Sequence, residues 1–311
     1  MNPKTENKIV LVTRKTRLEE LIARFNTLNQ AKFYIEHLGA DFSDYEIEHK
    51  NYKMAIEQSE AQLRNLGLIQ VLDRVFLPNF VFGKRDIVLV LGQDGLVANT
   101  LKYLNGQPVV AINPDPQRWE GVLLPFGVKD VDKVVLDVFQ RKRKCREITM
   151  AMAVLNTGQR LYGVNDLFIG PKTHISIRYL IRMGKKEEQH SSSGIIVSTG
   201  LGSTGWLKSI LTGANGVSAA LGRPLDVHKI KDFNWDSNYL FFSVREPWPS
   251  KFSQATLVFG RITQHEPVSL ISQMPERGVI FSDGIEDDFL EFNSGTKANI
   301  CVADKKGYLV I

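Results

Sequence analysis

Cysteine is scarce in this sequence: Cys145 and Cys301 are the only two among 311 residues. They stand far apart and form no C-x-x-C pair, which argues against a zinc site and against a disulfide scaffold. Sparse, unpaired cysteine is typical of proteins in reducing compartments, so we expect a cytoplasmic protein. No residue is predicted to ligate a resident metal ion.

Long hydrophobic runs are lacking as well. No apolar stretch approaches the ~20 residues that a helix needs to cross a bilayer, so we expect no membrane partner. The start of the chain, Met1 to Lys8, is polar and leads straight into a short predicted strand, which is not the pattern of a secretory signal. The sequence also shows no internal repeat and no low-complexity segment.

The composition is that of an ordinary globular protein, with 43% hydrophobic and 23% charged residues. A chain of 311 residues exceeds one typical domain, so we expect two. The net charge of +5 suits a polyanionic ligand such as a nucleotide, and it equally suits nucleic acid. Five of the six residues from Arg141 to Arg146 are positively charged, without aromatic residues between them. We favour a solvated hinge or strand end there, and expect no nucleic-acid partner.

The hydrophobic pattern predicts a different fold class for each half of the chain. In the first half, buried strands at 8–13, 87–91 and 108–112 alternate with amphipathic helices from about Leu18 to Leu28 and Asn51 to Leu66. This rhythm indicates a Rossmann-like α/β domain with a mostly parallel sheet, over residues 1–145. After that point short strand-like segments dominate, and only 204–222 has a helical pattern. The second half, residues 146–298, is therefore predicted to be a β-rich, sandwich-like domain.

The stretch from Gly92 to Leu96, which reads GQDGL, follows the apolar run Ile87–Leu91 and precedes a helix-compatible run. A buried strand, a glycine turn and a helix bring backbone N–H groups and a helix N-terminus up to a phosphate. Asp94 is unusual in such a place, because a carboxylate repels phosphate. It can accept a proton from a substrate hydroxyl, or it can cap the helix, since Asp is a preferred N-cap. Both interpretations stay open.

A second glycine turn, within Ile195 to Leu207, contains a literal G-x-G-x-x-G at Gly200, Gly202 and Gly205. Asp226 lies at about the offset expected of a ribose-binding acid in a dehydrogenase. The motif sits in the β-rich half, however, with no convincing parallel strand to carry that acid. We therefore interpret the segment as a hydroxyl-rich turn that opens a helix and holds hydroxyls or phosphates.

Two glycine turns in this order, the first with a central Asp, resemble the NAD kinase family, within the superfamily that includes diacylglycerol and sphingosine kinases. The family motif GGDGT stands here as GQDGL. The longer motif, roughly STPTGSTAY, stands as STGLGSTGW from Ser198 to Trp206. The Asn-Glu pair of the family appears as Asn165-Asp166.

The agreement is closest to the branch that includes mitochondrial-type NAD kinases. Asn113 to Gly121 looks like the N-x-D-P-x-R-x-E-G segment of that branch. Further pieces match in order at 242–247, at Asp283-Gly284 and at 289–298. The resemblance thus extends from the first strand nearly to the C-terminus.

The resemblance implies a Rossmann-like domain and a β-rich domain, with a last strand, about 299–311, returning to the first. It implies an active site in the cleft between Gly92–Leu96 and Ser198–Trp206. The implied reaction is transfer of the γ-phosphoryl of ATP to the 2′-hydroxyl of NAD, giving NADP, with Mg²⁺ accompanying ATP. Partners would be ATP and NAD, in a homodimer or a higher homo-oligomer.

The family's residue roles carry over to matching positions. Asp94 is the implied catalytic base, and Asn165 and Asp166 would hold the adenosine part of NAD. The remaining implied nucleotide-binding residues come from the two turns and one loop: Gly92, Gln93, Gly95, Asn113, Ser198, Gly202, Ser203 and Thr204. Structural alternatives exist for several of them. Asn165-Asp166 is a common turn pair, Ser203 and Thr204 are common helix caps, and Asn113 could only shape a Pro-rich turn.

The sequence departs from the family where phosphate would bind. Gln93 replaces a glycine, and if that site is left-handed the cost is about 1–2 kcal/mol. Leu96 replaces a threonine and removes a hydroxyl, and Gly200-Leu201 replaces part of a Thr-Pro-Thr section. Two other functions therefore stay open: a nucleotide sensor without phosphoryl transfer, and a kinase for another hydroxyl acceptor such as a sugar or lipid.

Overall fold

The computed structural model describes residues 8–226 and 232–311, so the polar start of the chain lies outside the described residues. The chain divides into two compact units. Unit 1 comprises Met1–Arg146 and Tyr308–Ile311, and unit 2 comprises Glu147–Gly307. Within the described ranges, the helices are too short or too polar to cross a membrane.

Unit 1 is a parallel sheet with helices. Its strands are β1 (Lys8–Thr13), β2 (Leu68–Asp73), β3 (Ile87–Leu91), β4 (Pro108–Asn113) and β5 (Phe126–Gly127). Its helices are α1 (Arg17–Phe25), α2 (Leu28–His37), α3 (Ser43–Arg64), α4 (Asp94–Leu101) and α5 (Val131–Phe139). The sheet order is β2-β1-β3-β4, and Tyr308 and Leu309 pair in parallel with the start of β4.

The core of unit 1 explains why β3 is central. All five residues of β3 are buried, as expected of a strand covered on both faces. Ile87, Leu89 and Leu91 pack in one cluster with Tyr52 of α3 and Val134 of α5. The α/β prediction for this half is confirmed, and it places the GQDGL turn at the carboxyl end of the central strand.

Two of the predicted helices differ from those observed. The pattern from Leu18 to Leu28 predicts one helix, but α1 ends at Phe25, and the next residue, Asn26, is left-handed with a φ of 67°. Thr27 then caps α2, and its hydroxyl accepts the N–H of Gln30. Helix α3 begins at Ser43, well before the predicted start at Asn51. Asn26 and the Thr27 cap therefore divide the stretch into two helices, although the hydrophobic periodicity continues across the division.

The described residues of unit 2 form two β-sheets and one long helix, α6 (Trp206–Ala220). The six-stranded antiparallel sheet has the order β13-β12-β11-β8-β15-β16. Its strands are β8 (Asp166–Pro171), β11 (Gly194–Ser198), β12 (Tyr239–Arg245), β13 (Phe259–Thr263), β15 (Gly278–Ser282) and β16 (Ile285–Glu291). The other sheet includes β6 (Cys145–Leu155), β7 (Arg160–Gly163), β9 (Ile177–Met183), β10 (Lys186–Ser192), β14 (Val268–Ser272) and β17 (Lys297–Val310).

The two sheets share one hydrophobic core. Ile169 and Val197 of the six-stranded sheet pack in the same cluster as Tyr179, Leu270 and Ile300 of the other sheet. This confirms the predicted β-rich, sandwich-like second domain. The chain turns between Gly163 and Asp166, which separates the strand-like stretch 161–169 into two strands, β7 and β8.

Candidate functional site

The first glycine turn joins β3 to α4 at the carboxyl edge of the unit 1 sheet. Gly92 donates its N–H to the carbonyl of Ile112 on the neighbouring strand β4 (3.2 Å). A Cβ on Gly92 would lie 2.8 Å from the side chain of Leu96. Gly92 therefore leaves room for the buried Leu96, which replaces the family threonine.

Gln93 occupies the N-cap position of α4 with extended backbone, φ −115° and ψ 165°. The site is not left-handed, so the cost stated for that case does not arise, and a non-glycine residue fits without backbone strain. Any effect of Gln93 on a bound phosphate would come from its side chain.

Asp94 is the first residue of α4, so the helix-cap interpretation of this residue is wrong by one position. Its carboxylate accepts the N–H of Leu123 (2.8 Å) and the N–H of Val122 (3.2 Å). These bonds tie the start of α4 to a turn 28 residues later in the sequence. A carboxylate has about four lone-pair sites, so two donors leave it able to accept a proton.

Asn113, at the end of β4, closes the Pro-rich turn that follows it. Its amide donates to the Trp119 carbonyl (2.9 Å), and its side-chain oxygen accepts the N–H of Asp115 (3.0 Å). Asp115 in turn accepts the amide of Asn51 (2.9 Å). These contacts favour the turn-shaping interpretation, and nucleotide binding by Asn113 stays a prediction.

Tyr52 fills the crevice between the carboxyl ends of β1 and β3. The connection after β1 leads to β2 on one side and the connection after β3 leads to β4 on the other, which makes the crevice between β1 and β3 the usual ligand position of a doubly wound sheet. The Tyr52 hydroxyl donates to the Leu91 carbonyl (2.8 Å) and accepts the Arg14 N–H (3.0 Å). Burial raises the pKa of Tyr52 to about 12. A ligand at this edge would therefore lie over residues 92–95.

Arg14, Arg17 and Arg118 of unit 1 belong to one network of ion pairs with Glu48 and Asp44. Arg14 contacts Glu48 (2.9 Å), Arg17 contacts Asp44 (2.8 Å), and Arg118 also contacts Asp44 (2.6 Å). The hydrogen bond from Arg118, followed by that from Arg17, lowers the pKa of Asp44 to about 2. Arg17 also pairs with Glu48, and Arg118 lies 3.9 Å from Asp115, so each guanidinium group has an acidic partner. This network therefore resembles a structural brace more than a phosphate site.

In unit 2 the Asn165–Asp166 turn is held from two sides. Thr199 donates its hydroxyl to the Val164 carbonyl (2.6 Å) and its N–H to the Asn165 carbonyl (3.0 Å). The Asp283 carboxylate accepts the N–H groups of Val164 (2.9 Å), Asn165 (2.6 Å) and Asp166 (3.4 Å). Asp283 and Thr199 thereby fix the position of the predicted ligand-binding pair.

The glycines of the second turn serve close backbone packing. A Cβ on Gly200 would lie 1.7 Å from the Asn234 carbonyl oxygen, and one on Gly202 would lie 2.0 Å from the Asn165 carbonyl oxygen. The preceding strand β11 pairs antiparallel with both its neighbours, β8 and β12. Asp226 lies in irregular chain. The dehydrogenase interpretation of G-x-G-x-x-G is therefore not supported.

The predicted hydroxyl residues of this turn differ in their surroundings. Ser198 pairs with Asp166 across β11 and β8, and its buried hydroxyl donates to the Thr199 carbonyl (3.0 Å). The Ser203 hydroxyl donates to the Gly200 carbonyl (2.7 Å). Thr204 is exposed. The structure thus brings Ser198, Gly202, Asn165 and Asp166 together in unit 2, and Gly92–Gly95 beside Asn113 in unit 1.

A cavity of about 330 Å³ adjoins Asp166 within unit 2. Its walls include three aromatic rings and several charged groups: Asp166, Phe168, Lys172, Trp206, Phe281, Asp283 and Glu286. Burial, followed by the charge of Asp283, raises the pKa of Asp166 to about 7. Asp166 can therefore exchange a proton near neutral pH, as ordinary aspartates do not.

The sequence reasoning missed Phe168 and Phe281, and it noted Trp206 only as the end of a motif. Side chains alternate along a strand, so Asp166, Phe168 and Gly170 lie on one face of β8. That spacing was readable once the start of β8 was known. Phe281 could not be found in this way, because only the pairing of β15 with β8 sets it opposite Phe168.

Similarity to known proteins is found among solved structures and not among sequences. No protein-family model and no curated protein matches the sequence. An NAD kinase from Archaeoglobus fulgidus, solved in complex with ATP, is similar over 98% of this chain and 93% of its own, with a TM-score of 0.57 and 14% identity. Yeast NADH kinase, solved with NADH, is similar over 99% of this chain and 84% of its own, with a TM-score of 0.57 and 15% identity.

The chain has the fold of the NAD kinases. This confirms the fold that the resemblance implied, across both units. The narrower likeness to the mitochondrial-type branch stays a prediction, as do the roles of the individual site residues.

Proposed function

We propose that the chain transfers the γ-phosphoryl group of ATP to the 2′-hydroxyl of NAD, giving NADP and ADP. The observation that supports this most is a fold likeness to NAD and NADH kinases that spans 98% and 99% of the chain. The archaeal relative is solved with ATP and the yeast one with NADH, which matches the two nucleotides of the proposed reaction.

In this proposal Asp94 is the base. The ribose oxygen forms a bond to the γ-phosphorus, the bond from that phosphorus to the bridging oxygen of ADP breaks, and the hydroxyl proton passes to the Asp94 carboxylate. Such a positioned base contributes about 10²–10⁴ in rate. The N–H groups of Val122 and Leu123 fix the orientation of this carboxylate. Mg²⁺ would arrive with ATP, bound by its phosphates, and would neutralise the transferred charge.

Asn165 and Asp166 are proposed to hold the dinucleotide in unit 2. The backbone of their turn is anchored by Thr199 and Asp283, so it needs no reordering when a ligand binds. The predicted homodimer or higher homo-oligomer and the cytoplasmic location rest on the resemblance and on cysteine content, and both stay predictions.

The test is a turnover assay with purified protein, ATP and Mg²⁺. NAD, NADH, nucleosides, sugars and lipid headgroups are offered in separate reactions, and phosphorylated product is detected by chromatography. NADP formation from NAD is the expected result. If only a sugar or a lipid headgroup is phosphorylated, that molecule and not NAD is the acceptor.

A nucleotide sensor is the second candidate, and the contacts of Asp94 favour it. Both of its carboxylate oxygens already accept backbone N–H groups, which is what a purely structural anchor would do. Binding of NAD by calorimetry without any product in the turnover assay would support the sensor.

A further inference from the structure

Strand β2 forms an open edge of the unit 1 sheet. In the order β2-β1-β3-β4 it pairs with β1 alone, over all six residues from Leu68 to Asp73, and among the described residues no strand pairs with its other side. The outward N–H and C=O groups of such a strand have no ladder partner and can pair with another chain. The edge can therefore accept one more strand.

The sequence of β2, LIQVLD, lacks the usual protection of an exposed edge. Edge strands of monomers commonly carry lysine, proline or a β-bulge, which block pairing with other chains. The only charged residue of β2 is the last, Asp73, and the pairing with β1 runs without a register shift. Leu68 and Val71 are 56% and 45% exposed. An edge of this kind is a ready template for a strand of another chain.

The segment that follows β2 adds to this apolar surface. Val75, Phe76 and Val81 are exposed by 62%, 61% and 85%. With Leu68 and Val71 they leave roughly 300–500 Å² of apolar side-chain surface in water, a size at which a patch on a monomer often has a function. A stable interface buries about 800 Å² on each partner, a little more than half of it apolar. Strand β2 and residues 75–81, which we call the β2 edge, supply most of that apolar share.

The apolar pattern of β2 is the same in both directions from Gln70. Ile69 on one side is matched by Val71 on the other, and Leu68 is matched by Leu72. In an antiparallel pair of identical strands, directly opposite residues point to the same face, so the two-fold axis passes through a residue position. An axis at Gln70 sets Ile69 opposite Val71 of a second copy and Leu68 opposite Leu72, so apolar side chains face apolar side chains.

The charges of the β2 edge fit the same register. Asp73 falls opposite Gly67 of the second copy, so the two carboxylates lie at opposite ends of the paired strands and do not face each other. An axis one residue further on, at Val71, would instead set each Asp73 opposite Ile69. At an axis through Gln70 the two exposed amide side chains meet, and each can donate to and accept from the other.

We propose that β2 pairs antiparallel with β2 of a second copy of this chain, with the two-fold axis at Gln70. The pairing joins the two unit 1 sheets into one continuous sheet and takes the apolar side chains of the β2 edge out of water. Both copies use the same surface, so the contact closes as a dimer and does not propagate. The proposal goes beyond the reaction proposed above, because it uses none of the residues assigned to nucleotide binding.

Charge exchange at the axis is the direct test. Sedimentation velocity of the full chain, over a wide range of concentrations, should show a dimer. Gln70→Lys sets two ammonium groups against each other and Gln70→Glu sets two carboxylates, so either variant alone should dimerise at least about 100-fold more weakly. An equimolar mixture of the two variants should regain the dimer, because a lysine then faces a glutamate across the axis.

Two further variants separate the β2 edge from other surfaces. Gln30→Lys adds the same charge at an exposed glutamine of α2, also in unit 1, and should dimerise like the parent. Phe76→Ser removes an exposed ring from each copy and should weaken the dimer by about tenfold or more. Thermal melts of all the variants establish that unit 1 remains folded.

Three results would overturn the proposal. The first is a parent that sediments as a monomer at every concentration, and the second is a dimer that persists in both Gln70 variants. The third is a mixture of the two variants that stays monomeric, which would exclude the register at Gln70. Sedimentation of a monomeric parent with phosphatidylserine vesicles, lost in Phe76→Ser, would assign the β2 edge to a lipid surface instead. Absence of NADP formation would leave the dimer proposal unaffected.

Discussion

The two glycine turns each follow a fully buried strand, but their glycines have opposite surroundings, and so do the carboxylates near them. In unit 1, Gly95 has open space around it, and Asp94 receives two backbone N–H groups. In unit 2, Gly202 packs against backbone, and Asp166 lies beside Asp283, which takes the N–H groups of the turn. A glycine turn after a buried strand can thus mark an open helix start or a closely packed crossing of two chain segments.

The carboxylate of unit 1 should show the largest effect. Asp94→Asn cannot accept the hydroxyl proton, so turnover of NAD should fall about 10²–10⁴-fold. The amide also offers an N–H where the loop needs an acceptor, and the free energy of unfolding should fall by about 1–2 kcal/mol. Kinetics and a thermal melt measure the two effects.

Asp132→Asn is the matched control, because Asp132 is an exposed acid in the first turn of α5, also in unit 1. Its turnover should equal that of the parent. Undiminished turnover in Asp94→Asn would leave Asp94 with the structural role of a loop anchor alone.

The carboxylate of unit 2 should show the next largest effect, through pH. The pKa of Asp166 is about 7 in the folded chain and near 4 in the unfolded chain, so the folded state binds the proton more tightly. Asp166 therefore makes its whole contribution to the free energy of unfolding below pH 4. This contribution, about 2–4 kcal/mol, is lost as pH rises through 7. Denaturant melts at pH 4 and pH 8 measure it.

Asp166→Asn should flatten this dependence and make the protein more stable than the parent at pH 8. Asp287→Asn, at an exposed position on β16, should keep the parent's slope. If the difference in free energy of unfolding between the parent and Asp166→Asn is the same at pH 4 and pH 8, Asp166 is ionised like an ordinary aspartate.

The glycines provide a third contrast between the units. In Gly202→Ala the new Cβ would lie 2.0 Å from the Asn165 carbonyl oxygen, so backbone must shift, at a cost of about 1–3 kcal/mol. In Gly95→Ala the Cβ meets open space within a helix, and a gain of about 0.5–1 kcal/mol is expected. Thermal melts of the two variants should move in opposite directions; movement in the same direction would contradict the packing argument.

Gln93→Gly should have the smallest effect on stability. Because Gln93 has extended backbone, glycine relieves no strain and costs only up to about 1 kcal/mol through the unfolded state. If the Gln93 side chain crowds the phosphates, KM for ATP should fall in the variant. An unchanged KM would show that the departure from GGDGT is neutral for ATP.

The local structure of the two turns could largely be predicted from the sequence, but the partners of their carboxylates could not. The apolar run of β3 and the turn after it predicted the buried strand and the helix start, because both depend on neighbouring residues. The partners of Asp94 could not be predicted, since Val122 and Leu123 reach it only through the pairing of β3 with β4. Asp283 likewise reaches Asn165 only because β15 pairs with β8.

Tyr52 occupies the crevice in which a doubly wound sheet usually binds its ligand, while the order of the strands is unchanged. Its ring fills the crevice between β1 and β3, so the tyrosine acts as a built-in occupant. Truncating it to alanine would leave a buried hole lined by apolar side chains, and such holes take up small aromatic molecules. A phenol added in solution could then restore the lost contacts, which would turn this position into an artificial control point for the stability of unit 1.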